Sequence, residues 1–209
     1  MRSALRTLTL LTALLLVFSE QAAAHGFNYD EVYLAYLKLA PPSDWDKATD
    51  DYMSLLQGDM WGRAKRNELE WPTASKNAKE RLKALVAKFN LSEPFEFVSK
   101  GEFGAYDPQS QTFEFSGADS NGSFFPYGGG AFAPQLSVTF LNGFEFRKIK
   151  VPADLARETI DNSYRQVEFS VTFVMVQSYA GTGRIKARIK SITFSDPFKH
   201  RTLATLTAR

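Results

Sequence analysis

Residues 165–178, RQVEFSVTFVMVQS, and residues 184–195, RIKARIKSITFS, read as two long strands joined through AGTG at 180–183. Val167, Phe169, Val171 and Phe173 occupy alternate positions, as they must if one face of an extended chain is buried. Ile185, Ala187 and Ile189 repeat that period, but Ile192 and Phe194 resume it one residue out of phase. A β-bulge near Lys190 and Ser191 returns both sets to one core and bends the strand. Upstream, the pairs Phe95 and Phe97, Phe113 and Phe115, Val138 and Phe140, and Phe144 and Phe146 alternate in the same way. The Asn142-Gly143 step between the last two pairs predicts a hairpin. A short helix over Pro152–Asp161, with Leu155, Ala156 and Ile160 on one side, precedes the long strands.

The front of the chain has the helical period instead. Tyr29, Val32, Tyr33, Tyr36 and Leu37 share one face, and Pro41-Pro42 stops that helix because proline lacks the next amide donor. Ser43 reads as the cap of a second helix, with Asp46 in its first turn and Trp45, Ala48, Tyr52, Leu55 and Leu56 on its apolar face. A third helix starts near Ser75, carries Ala78, Leu82, Leu85, Val86 and Phe89, and ends at Asn90. Helices first and strands afterwards predict an α+β fold, with N-terminal helices, a curved antiparallel sheet and one short inserted helix. Residues 25–209 read as one such domain, helical over about 27–92 and strand-rich over about 93–209.

Residues 1–24 read as a secretory signal: Arg2 and Arg6 lead, an apolar run spans Leu8 to Phe18, and Ala22 and Ala24 suit cleavage before His25. That run is too short to cross a bilayer, so the expected location is periplasmic or secreted, with no transmembrane helix in the mature chain. The chain has no cysteine, which excludes disulfides, thiol catalysis and thiolate metal sites. Its formal charge of +2 argues against a nucleic-acid partner. The charge is unevenly spread, however: residues 25–142 carry 11 basic and 16 acidic side chains, and residues 143–209 carry 12 and 6. Attraction between the two halves is the plain explanation.

Four places carry candidate chemistry. Arg184, Lys186, Arg188 and Lys190 alternate with apolar residues, so they project from one strand face towards an anionic partner, an envelope component or another exported protein. Lys199 and Arg201 extend this row in the linear reading. Gly117–Ala133 is a long connection, and its Phe124, Phe125 and Tyr127 are candidates for an apolar contact. It lacks the Gly-Lys-Ser/Thr ending of a phosphate loop and the distal glutamate of a calcium loop. The acidic run Asp44, Asp46, Asp50 and Asp51, with Glu68 and Glu70 beside Trp61 and Trp71, offers the carboxylates and indoles of a glycan hydrolase. Carboxylates at a helix start are also expected for capping alone. Finally, a chain beginning at His25 presents an amino group and an imidazole to copper, as copper oxygenases acting on polysaccharides do, with His200 the sole other histidine. No serine-hydrolase elbow or zinc helix is present, so the sequence assigns no catalytic residue, metal or cofactor.

The Trp61 to Trp71 segment with Glu68-x-Glu70, and Val151-Pro152-Ala153-Asp154-Leu155-Ala156 leading through Arg165 into the long strands, resemble a domain-of-unknown-function family of exported bacterial proteins. That resemblance implies a bacterial envelope location and supplies no catalytic residues. The expected function is accordingly binding, as an accessory or scaffold protein of the envelope. The glycan hydrolase is the alternative, and the copper site at His25 a remoter one.

Overall fold

The computed structural model describes residues 24–115, 117 and 135–209. It is an α+β fold with the helices first. A two-residue strand β1 (His25–Gly26) leads into α1 (Tyr29–Leu39), α2 (Trp45–Arg66) and α3 (Trp71–Lys88). Strands β2 (Phe95–Glu102), β3 (Tyr106–Asp107), β4 (Thr112–Glu114), β5 (Ser137–Phe140) and β6 (Lys148–Lys150) follow. The single inserted helix α4 (Ala153–Ser163) then precedes β7 (Gln166–Tyr179), β8 (Arg184–Ser195) and β9 (Thr202–Thr207).

The helix boundaries follow capping chemistry. Asp44, not Ser43, caps α2: its carboxylate accepts from the amides of Asp46 at 2.9 Å and Lys47 at 3.0 Å. An anion suits those orphan donors and the positive end of the helix dipole better than a hydroxyl. Helix α3 starts at Trp71, four residues before the expected Ser75, because Pro72 is tolerated in a first turn where its missing amide costs nothing. Its C-cap is Phe89 rather than Asn90, whose side chain instead accepts from Ser92 N–H at 3.0 Å to turn the chain into β2. Helix α2 is kinked at Gln57, where the backbone leaves helical geometry beside Gly58. Just before that kink Leu56 is exposed rather than part of the core face.

The main sheet has the order β1-β2-β7-β8-β5, with β9 also pairing with β8. Its body, β2-β7-β8-β9, is antiparallel, and the short outer pairs β1–β2 and β5–β8 are parallel. The expected bulge is present: Thr172 pairs with Ser191 and Phe173 with Ile189, leaving Lys190 without an opposite residue. Ile185, Ala187, Ile189, Ile192 and Phe194 are all buried as a result. A second slip leaves Val176 extra on β7, and the two offsets bend the long pair.

Asn142-Gly143 does not make a hairpin. Residues Gly143–Phe146 form a 3-10 turn, Phe144 is exposed, and Phe146 is buried. The hairpin reading fails because Val138 and Phe140 pair with β8 instead, while Lys148–Lys150 crosses to a second sheet of order β3-β4-β6. That small sheet lays Phe103, Phe113 and Phe115 against the far end of the main sheet, with Phe115 packed edge-on to Phe169 and Phe194 at 5.1 and 4.9 Å between ring centres. At the near end Phe95 stacks on Phe173 at 5.6 Å, and α1 packs onto β7. Both layers cover one face of the main sheet. The opposite face of β8 therefore carries its polar residues towards solvent.

Candidate functional site

The cationic row stands on that open face because of the period of β8. Ile185, Ala187 and Ile189 point into the core, so Arg184, Lys186 and Arg188 point away, and the bulge leaves Lys190 exposed beside them. Their strand neighbours are uncharged. Arg184 lies between Tyr179 and Ser137, Lys186 between Gln177 and Thr139, and Arg188 opposite Val174. Among the described residues none of the four has a carboxylate partner, and Lys186 rests over the Tyr179 ring at 5.5 Å. A cation row without counter-charges holds an unneutralised positive potential, which a mixed strand face would not.

Lys199 and Arg201 do not extend the row. Both grip Glu158 on α4, Arg201 at 2.6 Å, and these two hydrogen bonds, Lys199 first, pull the Glu158 carboxyl down to about 2. The linear reading had no means of seeing α4 beneath the turn after β8. Phe124, Phe125 and Tyr127 lie outside the described residues.

At its hairpin end the row opens into two adjoining concavities. One, of about 720 Å³, runs along Ser137, Thr139, Tyr179 and Lys186. The other, of about 650 Å³, lies between the α1–α2 turn and the β7–β8 hairpin. Arg184, Thr182 and Ser137 belong to both, so the two form one groove around the end of the sheet. The second concavity also contains Asp44, Lys47 and Asp51. The fold thus brings part of the acidic run of α2 to the first cation of β8, two features the sequence kept far apart.

The floor of this end is rigid. Tyr36 Oη donates to the Tyr179 carbonyl at 3.1 Å and accepts from Gly183 N–H at 3.4 Å, and Ser178 Oγ donates to the Tyr36 carbonyl at 3.0 Å. Gly181 and Gly183 take left-handed backbone angles, φ +74° and +66°, as the turn requires. Tyr33 lies beneath with its pKa raised, first by burial and then by the nearby Asp51 charge. The sequence placed Tyr36 only on a helix face and did not single out Lys47 or Ser137, because no spacing links residues on two helices and an edge strand.

The acidic run is otherwise committed to structure. Asp44 caps α2 and Asp46 pairs with Lys79 at 2.7 Å. Asp50 accepts from Trp61 Nε1 at 2.8 Å and pairs with Lys65. Burial alone raises the Asp50 carboxyl, but those two donors outweigh it and hold it below its ordinary value. Trp61 is buried edge-on against Trp71 at 4.8 Å rather than offered to a sugar. Glu68 and Glu70 are exposed at the end of this corner.

His25 is built into the fold. Its backbone N–H donates to the Pro94 carbonyl at 2.7 Å, its Nδ1 lies 3.0 Å from Glu31, its Nε2 lies 3.0 Å from the Asn90 carbonyl, and its ring stacks on Phe89 at 4.4 Å. Both ring nitrogens thus lie against protein oxygens. His200 sits in the turn after β8 with a left-handed backbone, its amide bonded to the Asp196 carbonyl. Among the described residues no group of three His, Asp or Glu side chains is placed to hold a metal ion.

A family model described as a domain of unknown function, DUF4852, matches residues 44–162, more than half of the chain, and the chain belongs to that family. The match runs from the cap of α2 to the end of α4 and includes the Trp61 to Trp71 corner and the Val151–Ala156 segment. No curated protein and no solved structure matches this chain.

Proposed function

We propose that this member of the DUF4852 family is an exported binding protein of the bacterial cell envelope, periplasmic or secreted, that grips an anionic partner through β8. The observation that carries this reading is the row Arg184, Lys186, Arg188 and Lys190, four cations on the open sheet face with no carboxylate partner among the described residues. Unneutralised charge of one sign on a regular strand attracts and orients a polyanion. The groove beside the row gives an extended ligand a track, with Tyr179 as an apolar wall. Export is supported by the apolar run Leu8 to Phe18 behind Arg2 and Arg6. No helix among the described residues is long and apolar enough to cross a membrane.

An accessory or scaffold role fits better than catalysis. Asp50 of the hydrolase alternative is held by Trp61 and Lys65, and Trp61 itself is buried, so this carboxylate and indole do not face a sugar together. The test is retention on isolated envelope material: the protein stays bound at low salt, and a variant carrying Gln at all four positions washes through. Equal retention of the two proteins rejects the reading.

A further inference from the structure

We infer that the concavity between the α1–α2 turn and the β7–β8 hairpin binds a zwitterion, an α-amino acid or a short peptide with both ends free, with its ammonium at Asp51 and its carboxylate at Arg184. This deepens the binding reading above and rests on it, since Arg184 serves both. The cavity has the right scale, about 650 Å³, within the range of small-molecule sites. Its charges are divided: Asp44 and Asp51, with Lys47 beside them, belong to the helical wall, and Arg184 alone to the hairpin wall. Such a pocket prefers a ligand with both charges over one with either alone.

The two charged groups are differently available. Arg184 has no ion-pair partner among the described residues, and its guanidinium presents two parallel donors to a carboxylate. Asp51 is paired with Lys47 at 2.9 Å, but the lysine side chain is 71% exposed and the aspartate 17%. The carboxylate is fixed in the wall while its ammonium partner stands in solvent. A ligand ammonium can exchange for that of Lys47 at Asp51, because the displaced lysine returns to solvent, where most of its side chain already stands. Asp44 cannot take the same part as readily, because its Oδ1 already accepts two backbone amides. Leu37, Pro42 and Ala48 supply apolar wall for a small side chain, and Ser43 and Ser137 supply hydroxyls for a peptide backbone.

The test is calorimetric titration of the exported protein with one peptide in four forms: tri-alanine, its N-acetyl form, its C-terminal amide, and the form blocked at both ends. Loss of either terminal charge is expected to weaken binding at least about tenfold, the effect of one charge-assisted hydrogen bond. Asp51→Asn is expected to erase the difference between tri-alanine and its N-acetyl form, and Arg184→Gln the difference from the amide. Free alanine, titrated alongside, distinguishes an amino-acid site from a peptide site. Equal binding of all four forms, or binding of none at millimolar concentration, overturns the inference. Neither result touches polyanion binding through Lys186, Arg188 and Lys190, so the two readings fail separately.

Discussion

The side chain of Asn142 completes the edge of β8 at Ile189: its Nδ2 donates to the Ile189 carbonyl at 3.0 Å, and its Oδ1 accepts from the Ile189 N–H at 2.9 Å. Strand β5 covers β8 as far as Ala187 and β9 begins at Ser191, so the amide side chain fills the gap between two edge strands as a backbone unit would. Both groups of Ile189 are buried there, and neither has water to fall back on.

Asn142→Ala leaves those two groups without partners. Each unmet buried group costs about 1–3 kcal/mol, so chemical denaturation is expected to show a loss of about 2–6 kcal/mol. Asn142→Asp keeps the acceptor but sets a buried carboxylate against the Ile189 carbonyl, and is expected to cost more than the alanine. Equal stability of wild type and Asn142→Ala would remove this side chain from the architecture.

The two turn glycines are expected to respond differently. A Cβ on Gly181 meets nothing within 4 Å, so Gly181→Ala costs only the left-handed strain, about 1–2 kcal/mol. A Cβ on Gly183 would stand 2.1 Å from the Gln135 carbonyl oxygen, at the entry to β5. Gly183→Ala is therefore expected to lower the melting temperature well beyond Gly181→Ala and to disturb the groove, because the Gly183 carbonyl accepts from Ser137 N–H. Equal melting temperatures would contradict that geometry.

Glu158 ties α4 to the turn before β9 through Lys199 and Arg201, and its pKa lies at about 2, below the ordinary value of 4.5. A carboxyl lowered on folding contributes stability that is present above its unfolded pKa and is lost as pH falls through its folded pKa. The tether is thus intact above about pH 4.5 and is released towards pH 2. Glu158→Gln is expected to flatten that limb of the acid stability profile and to lower neutral stability by the same amount, a small one since exposed pairs contribute little. An unchanged acid limb would show that Glu158 is not the group titrating.

Tyr29, Tyr33 and Tyr52 all have raised pKa values, first because burial disfavours the phenolate and then because Asp51 or Asp30 stands near. A group raised on folding keeps its full stabilising effect below its unfolded pKa and loses it as pH rises above that value. In an alkaline absorbance titration these three are expected to ionise only with unfolding, after the exposed tyrosines. A single smooth transition near the ordinary tyrosine pKa would refute the buried cluster.

The fold was legible where burial imposes a period. The alternation in residues 165–195 gave both long strands and their bulge, because one residue of slip moves every side chain to the other face. The front helices were legible for the same reason, and their ends were not, since a cap depends on which side chain reaches an amide. Asn142 was misread because Asn-Gly favours a turn locally, whereas this asparagine answers to Ile189, 47 residues away. The cation row was legible as a pattern. Its freedom from counter-charge, its separation from Lys199 and Arg201, and its meeting with Asp51 are tertiary facts that no spacing carries.

The claim that β8 is an anion-binding strand is tested most directly by the salt dependence of binding to a defined polyanion such as polyglutamate. For the wild-type protein, log affinity is expected to fall steeply with log salt, and each Gln replacement at Arg184, Lys186, Arg188 or Lys190 to reduce that slope by about one. Replacing Lys83, a cation on α3 far from the row in sequence, serves as the control and is expected to leave the slope unchanged. A slope insensitive to the four β8 positions, or equally sensitive to Lys83, would contradict the account.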